Sequence, residues 1–468
     1  MTPAPSRSVH QLIITRPSRG PGIREMLLAR AGHGWRLPEI ESGERRAADV
    51  APLLQAVGEQ MGIEISVLRC LRDSPPDAAG IRRQASEAEC HRQAGPTPTN
   101  AAWLDLSRPD RVTLSDPAQD TLLRAWLDEQ RERAPSADRG EWTVPGWRDR
   151  VTSWAQAELR RVDPGAHITR IEQLRVWEFA CVLRIRADVG TFFVKVLPRA
   201  MATEVALTKR LSETHSELTP SVVAAEPDRG WLLTREVMGA PLMDTPDLAC
   251  WTRAAVACAR IQIDWLDRRQ ELESLGCQPR SLEWLAAEID PLLKDPGALL
   301  IGQPEGLPED ALAELRARAP QLAAACEELD RHRLPLALEH GDLWAENVIA
   351  SPRTSVLIDW EDAALAHPFF SPSLLLLSLD YTHAIDDRGE ARARLREAYL
   401  APWRAAPPTR RWSSARLEAA FDLAQRVAML YYAVLFRRFS LPRVETSWEV
   451  RTFVPFFARR LLDSLRRG

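Results

Sequence analysis

The chain has 468 residues, 45% of them hydrophobic and 27% charged, which is enough for about two to four domains with cores of their own. A net charge of −4 argues against a bulk basic field for nucleic acid. The seven cysteines are scattered, odd in number and without a Cys-x-x-Cys pair, so neither a disulfide framework nor a zinc site is expected.

No charged-then-apolar leader opens the chain, and the longest apolar run, residues 374–377, is far too short to span a bilayer; a cytoplasmic protein is expected. Residues 10–15, 25–30, 64–69 and 101–106 read as strands, and 47–61 and 117–132 as helices, predicting a small α/β domain over 1–130. Residues 131–145 are polar with Pro and Gly, a linker composition. An amphipathic helix over 146–161 leads into strands 168–175, 181–185 and 191–196.

Lys195 sits in the apolar strand Phe192-Phe-Val-Lys-Val196, where a charge needs a partner. Of 61 basic residues only Lys195, Lys209 and Lys294 are lysines, so a lysine here is kept where arginine would not serve. A compact ammonium suits nucleotide phosphates, and the following helix offers Glu204 as its partner. Residues 231–239 read as a strand running into a turn. Helical patterns follow over 246–275, 281–295, 308–331, 372–379, 384–405, 414–440 and 453–467. Cys250 and Cys258 fit core positions; Glu273, Glu288 and Asp290 fit solvated helix faces; Tyr431, Tyr432 and Phe436 fit packing.

Between these helices runs Leu336-Ala-Leu-Glu-His-Gly-Asp-Leu-Trp-Ala-Glu-Asn-Val-Ile-Ala350, then Val356-Leu-Ile-Asp-Trp-Glu-Asp362. Asp342 and Asn347 have the D-x-x-x-x-N spacing of a kinase catalytic loop. Phosphoryl transfer needs a carboxylate that orients the attacking hydroxyl and oxygen ligands that hold Mg²⁺. A short loop lets Asp342 and Asn347 face one cavity, and a hairpin brings Asp359 beside Asn347.

Together, His340-Gly341-Asp342…Asn347, Ile358-Asp359-Trp360-Glu361 and His367-Pro368 resemble the aminoglycoside phosphotransferase/choline kinase family. The resemblance implies an α+β, two-lobed protein-kinase-like fold, with a small lobe over 146–241 and a helical lobe over 242–468. It implies an ATP- and Mg²⁺-dependent enzyme that phosphorylates a hydroxyl of a small molecule, without nucleic-acid or membrane partners. Asp342 would be the base, Asn347 and Asp359 the Mg²⁺ ligands, and His340 a brace. The backbone at Glu236, Val237 and Met238 would meet the adenine, and Trp344 with residues 360–362 would border the acceptor. The turn Trp177-Glu178-Phe179-Ala180 lacks the glycine of a kinase phosphate loop, and Glu178 would repel phosphates if it pointed inward.

Residues 1–130 resemble a Nudix domain through Trp35-Arg-Leu-Pro38, Gly43-Glu44 and a helix closing in Glu59-Gln-Met-Gly-Ile63. The usual glutamate cluster is reduced to Glu59, and one carboxylate does not assemble its Mg²⁺ site. A structural or regulatory shell is expected there, not an active pyrophosphohydrolase. The alternative for the whole chain is a nucleotide-binding pseudokinase with a regulatory role.

Overall fold

The computed structural model describes residues 7–17, 24–32, 34–43, 46, 48–93, 97, 100–106, 112–132 and 139–467. The chain forms two compact units: residues 1–200, 229–231 and 443–450 make the first, and 201–228, 232–442 and 451–468 the second.

The first unit opens with β1 (Arg7–Pro17), β2 (Arg24–Ala31), β3 (Gly34–Arg36), β4 (Glu39–Ser42), α1 (Ala51–Met61), β5 (Ile63–Asp73), β6 (Ile81–Gln93), β7 (Ala101–Asp105) and α2 (Pro117–Glu132). The sheet order is β3-β2-β1-β6-β5, with β4 added to β1 and β7 to β2. The β1–β6 pair is parallel and the others antiparallel. Ile13, Met26, Leu28 and Leu37 pack against Leu123 and Trp126 of α2. Gly62, left-handed at φ 65°, ends α1.

The sequence reading misses β6. Its run Arg82-Arg-Gln-Ala-Ser-Glu-Ala-Glu89 has no apolar alternation, yet it lies between β1 and β5. Its inward charges are paired. Arg82 is bidentate to Asp73, at 2.7 and 2.5 Å, and the Glu87 carboxylate accepts from Arg69 at 2.8 Å. Arg69 also forks onto Glu129 of α2, at 2.9 and 2.7 Å. The sheet therefore carries a polar seam that is satisfied by geometry instead of by hydrophobic burial.

The expected linker 131–145 is in part ordered structure; its residues 133–138 lie outside the described residues. Trp142 is 1% exposed, and Arg139 pairs with Glu129 and Glu445. Then come α3 (Trp147–Val162) and the antiparallel meander β8 (Ile168–Val176), β9 (Cys181–Ala187) and β10 (Gly190–Val196). The Gln173 amide on β8 brackets the main chain of Val67, at 2.9 Å from its N–H and 2.8 Å from its carbonyl. The meander and the N-terminal sheet thus share one compact unit.

The second unit holds α4 (Thr203–Thr214), β11 (Val222–Glu226), β12 (Trp231–Arg235), β13 (Ala240–Pro241), α5 (Leu248–Asp264), α6 (Arg269–Ser274), α7 (Leu282–Ala287), α8 (Ile289–Leu293), α9 (Glu309–Ala317) and α10 (Ala319–Arg331). It continues through β14 (Ala337–Glu339), β15 (Val348–Ala350), β16 (Ser355–Leu357), β17 (Ala364–Ala366), α11 (Ser371–Ser378), α12 (Arg388–Ala405), α13 (Ser414–Leu435) and, past the single turn α14 (Trp448–Arg451) that belongs to the first unit up to residue 450, α15 (Phe453–Arg467). Helices expected to be continuous are broken. The 308–331 pattern divides where Pro320 enters the first turn of α10, since proline has no N–H for the preceding turn. Cys250 and Cys258 are buried as expected. Glu273 and Asp290 pair with Arg269 and Lys294 on solvated faces. The segment Ser414–Arg443 is long and apolar enough to cross a membrane, but 72% of its apolar window is buried, as in a core helix.

The buried ion pairs of the β6 seam predict a sharp loss on breaking one. Arg69→Met leaves Glu87 buried without its guanidinium and should cost roughly 3–5 kcal/mol, read by urea unfolding. The Arg69→Met/Glu87→Gln pair should recover part of that loss.

Candidate active site

The strand β14 is fully buried and delivers the chain to a tight turn at Gly341, with φ 83°. A Cβ there would lie 2.4 Å from the Asp362 carbonyl oxygen, so only glycine fits. His340 is 1% exposed and braces this turn. Its Nδ1 accepts the Asp342 N–H at 3.3 Å, its Nε2 lies 3.1 Å from the Ile358 carbonyl, and its ring stands 4.3 Å from that of Trp360. Those partners assign the proton to Nε2.

The loop then folds back on Asp342. Its carbonyl accepts the Trp344 N–H at 2.8 Å. The Asn347 amide donates to that carbonyl at 2.8 Å and to the Asp342 carboxylate at 2.7 Å. The Ala345 N–H is held by the Ser378 hydroxyl at 3.0 Å. The short hairpin β15–β16 pairs Val348 with Leu357, and the Ile358 N–H meets the Asn347 carbonyl at 3.0 Å. Asp359 therefore starts beside Asn347. It takes a left-handed φ of 68°, a conformation that costs a non-glycine residue about 1–3 kcal/mol and concentrates at functional sites.

Carboxylate oxygens of Asp359, Glu361 and Glu204 lie within 4.8 Å of one another. Glu204, in the first turn of α4, is 2% exposed. Among the described residues this is the one group of three or more His, Cys, Asp or Glu placed to share a metal ion. An all-oxygen set suits a hard cation such as Mg²⁺. With Nδ2 of Asn347 committed to Asp342, Oδ1 is its remaining ligand atom.

Of the residues singled out from sequence, Asp342, Asn347 and Asp359 come together. Glu204, assigned to Lys195, joins Asp359 and Glu361. Glu361 was not read as a ligand; its two-residue offset from Asp359 was the available signal. Lys195 lies on β10, in the first unit, opposite Val182 of β9. Glu236, Val237 and Met238 form the irregular segment between β12 and β13, where Met238 is 77% exposed. Trp360 is 2% exposed and packs on His340, so it is core and not an acceptor wall. Trp344 is part-exposed, with its ring 6.3 Å from that of Tyr381. Tyr431, Tyr432 and Phe436 are buried as expected, but both tyrosine hydroxyls reach Glu339.

In the first unit, the Trp177–Ala180 turn closes with a 3.0 Å bond from the Trp177 N–H to the Ala180 carbonyl. The Glu178 carboxylate accepts from the N–H groups of Thr446 and Ser447, each at 3.0 Å, and from the Thr446 hydroxyl at 3.2 Å. Glu59 on α1 is exposed and takes the Gln55 amide at 2.8 Å.

His367 shapes the pH response. Burial pushes its imidazole down to about 3, and its Nε2 has no partner among the described residues. The folded value lies below the unfolded one of about 6.5, so its contribution is present above that pH and is lost as pH falls. His367→Gln should flatten the urea-unfolding stability between about pH 6.5 and 4 by up to about 1.4 kcal/mol per pH unit relative to the parent chain.

Residues 167–416 match the phosphotransferase enzyme family, designated APH. No curated protein matches the chain. Among solved structures, choline kinase LicA from Streptococcus pneumoniae is similar at 13% identity, over 68% of this chain and 100% of that one, with a TM-score of 0.45. Choline kinase from Cryptosporidium parvum Iowa II gives 12%, 68% and 96%, with a TM-score of 0.48. Macrolide 2'-phosphotransferase type I gives 14%, 66% and 96%, with a TM-score of 0.43. The family match begins at residue 167, so the Nudix-like reading of residues 1–130 draws no support from it. Spanning over half of the 468 residues, that match shows that the chain belongs to the phosphotransferase enzyme family.

Proposed function

We propose that the protein is a kinase of small molecules, transferring the γ-phosphoryl group of ATP to an acceptor hydroxyl with Asp342 as base. The observation that carries this reading is the 2.7 Å bond from the Asn347 amide to the Asp342 carboxylate, on a loop tied directly to the segment that bears Asp359. The Asp342 carboxylate orients the hydroxyl and takes its proton as the oxygen bonds to phosphorus, while the bridging oxygen leaves with ADP.

Asn347 holds Asp342 in one direction and, through Oδ1, would hold Mg²⁺ together with Asp359; Glu361 and Glu204 supply further oxygens nearby. When bound, Mg²⁺ neutralises charge on the phosphates. Lys195 would hold phosphates, with Glu204 to position it, and the backbone at Glu236 to Met238 would meet adenine. The three donors on Glu178 support a turn whose carboxylate is already engaged.

A regulatory role for the N-terminal sheet also has a specific observation in its favour. Segment 443–450 bonds Glu178 through Thr446 and Ser447, and it bonds Asp73 through the Trp448 N–H at 2.9 Å. The phosphate-side turn and the N-terminal sheet thus share one strap within the first unit.

The test is an ATP-consumption screen over small hydroxyl compounds, with Asp342→Ala as the blank. The parent chain should turn over at least one acceptor, and Asp342→Ala should lose roughly 10²–10⁴-fold in kcat while binding nucleotide as before. Unchanged turnover in Asp342→Ala would remove the base assignment; nucleotide binding without turnover of any acceptor would favour the pseudokinase reading.

A further inference from the structure

We propose that Glu339, reached from Arg280 through Tyr431, is a positioning residue that locks the base-bearing loop to the acid-bearing segment. This rests on the kinase reading above for the roles of Asp342 and Asp359, but not for the relay itself.

Glu339 is 0% exposed and precedes His340 directly. A carboxylate so placed must be satisfied from within. It accepts the Tyr431 hydroxyl at 2.9 Å, the Ser371 hydroxyl at 3.2 Å and the Tyr432 hydroxyl at 3.3 Å. The Ser371 hydroxyl in turn receives the His340 N–H at 3.0 Å. Thus Glu339, through its hydroxyl partner, holds the amide that opens the loop carrying Asp342.

The other end of the relay is Arg280, 8% exposed. Its Nη1 donates to the Tyr431 hydroxyl and to the Asp362 carbonyl, both at 3.1 Å. Phe439 lies beneath the guanidinium, 4.5 Å from ring centroid to Cζ. The acids Asp362 and Glu339 both act on its charge, and Glu339 does so across one tyrosine hydroxyl. The donor order is Arg280 to Tyr431 to Glu339, and every proton points toward the carboxylate. Burial raises the Glu339 pKa, while the Tyr431 hydroxyl, the Arg280 charge and the Ser371 hydroxyl oppose that rise.

The two ends of the relay flank the tight contact at Gly341. Through the Ser371 hydroxyl Glu339 reaches the N–H of His340, next to Gly341, and Arg280 holds the carbonyl of Asp362, the atom a Gly341 Cβ would strike at 2.4 Å. One neighbour of this junction is Asp342; the other runs back through Glu361 to Asp359. A buried pair kept only for stability could be replaced by apolar side chains of similar volume. A relay whose two termini grip these two backbones sets the separation of the base and the metal-binding acids.

The test uses Tyr431→Phe, which removes only the bridging hydroxyl, and Glu339→Gln, with surface Glu273→Gln as reference. Amide exchange of the peptide spanning 340–344 should accelerate at least about tenfold in both relay variants at an unchanged thermal midpoint, and not in the reference. In turnover, kcat should fall about tenfold with KM for nucleotide within about threefold, and the double variant should fall no further than the worse single one. Should Glu339→Gln fail to fold, Tyr431→Phe decides alone. Parental exchange and parental kcat in a folded Tyr431→Phe would overturn the proposal. Exchange does not require turnover, so an inactive parent chain would count against the kinase reading while the exchange result still judges the relay.

Discussion

At Gly341 the main chain passes so close to Asp362 that no side chain fits between them. The candidate site depends on this contact. It brings the end of β14, with Asp342 three residues beyond, against the segment that begins at Asp359. Close backbone approach demands glycine and a left-handed φ, and the surrounding core has to hold that geometry. His340 does so from one side, through Ile358 and Trp360; Glu339, Ser371 and Tyr431 do so from beneath. The polar residues of the loop are thereby placed by buried groups with little freedom, which is how a short loop keeps two functional side chains in register.

The two compact units satisfy buried charge by different means. In the first, β6 runs mid-sheet with Arg82, Glu87 and Glu89 buried, each matched by Asp73, Arg69 or the Gly146 N–H. In the second, Glu339 and Arg280 are bridged by a hydroxyl instead of touching. Direct pairs within a sheet hold neighbouring strands; a bridged pair ties together distant segments. The strap 443–450 adds a third device, offering backbone N–H groups to Glu178 and Asp73.

The candidate centre was legible because phosphoryl transfer, the reaction proposed for it, restricts residue types and spacing at once. Asp342, Asn347 and Asp359 could be picked out from order alone; the structure bonds Asn347 to Asp342 at 2.7 Å and to Ile358, the residue before Asp359, at 3.0 Å. The helices were legible from periodicity, except where prolines such as Pro320 break them. What escaped was whatever depends on distant partners. The polar run of β6 carries no strand period, since its burial is made possible by Arg69 and Asp73, in a different strand. The closeness of Glu361 to Asp359 and Glu204 escaped because no motif separates an acid that joins such a cluster from a solvated one. Tyr431 and Tyr432 were legible as buried, but nothing local shows that their hydroxyls converge on Glu339. The left-handed φ of Asp359, just past the β15–β16 hairpin, was equally invisible.

In the function proposed above, the Asp342–Asn347 loop and the Asp359–Glu361 segment form one metal-dependent centre. Binding of Mn²⁺ in the presence of nucleotide, followed by electron paramagnetic resonance on the full chain, tests it most directly. The bound-Mn²⁺ signal should persist in Asp342→Ala and weaken at least about tenfold in Asp359→Ala. An Asp359→Ala variant that binds Mn²⁺ and nucleotide like the parent chain would contradict it.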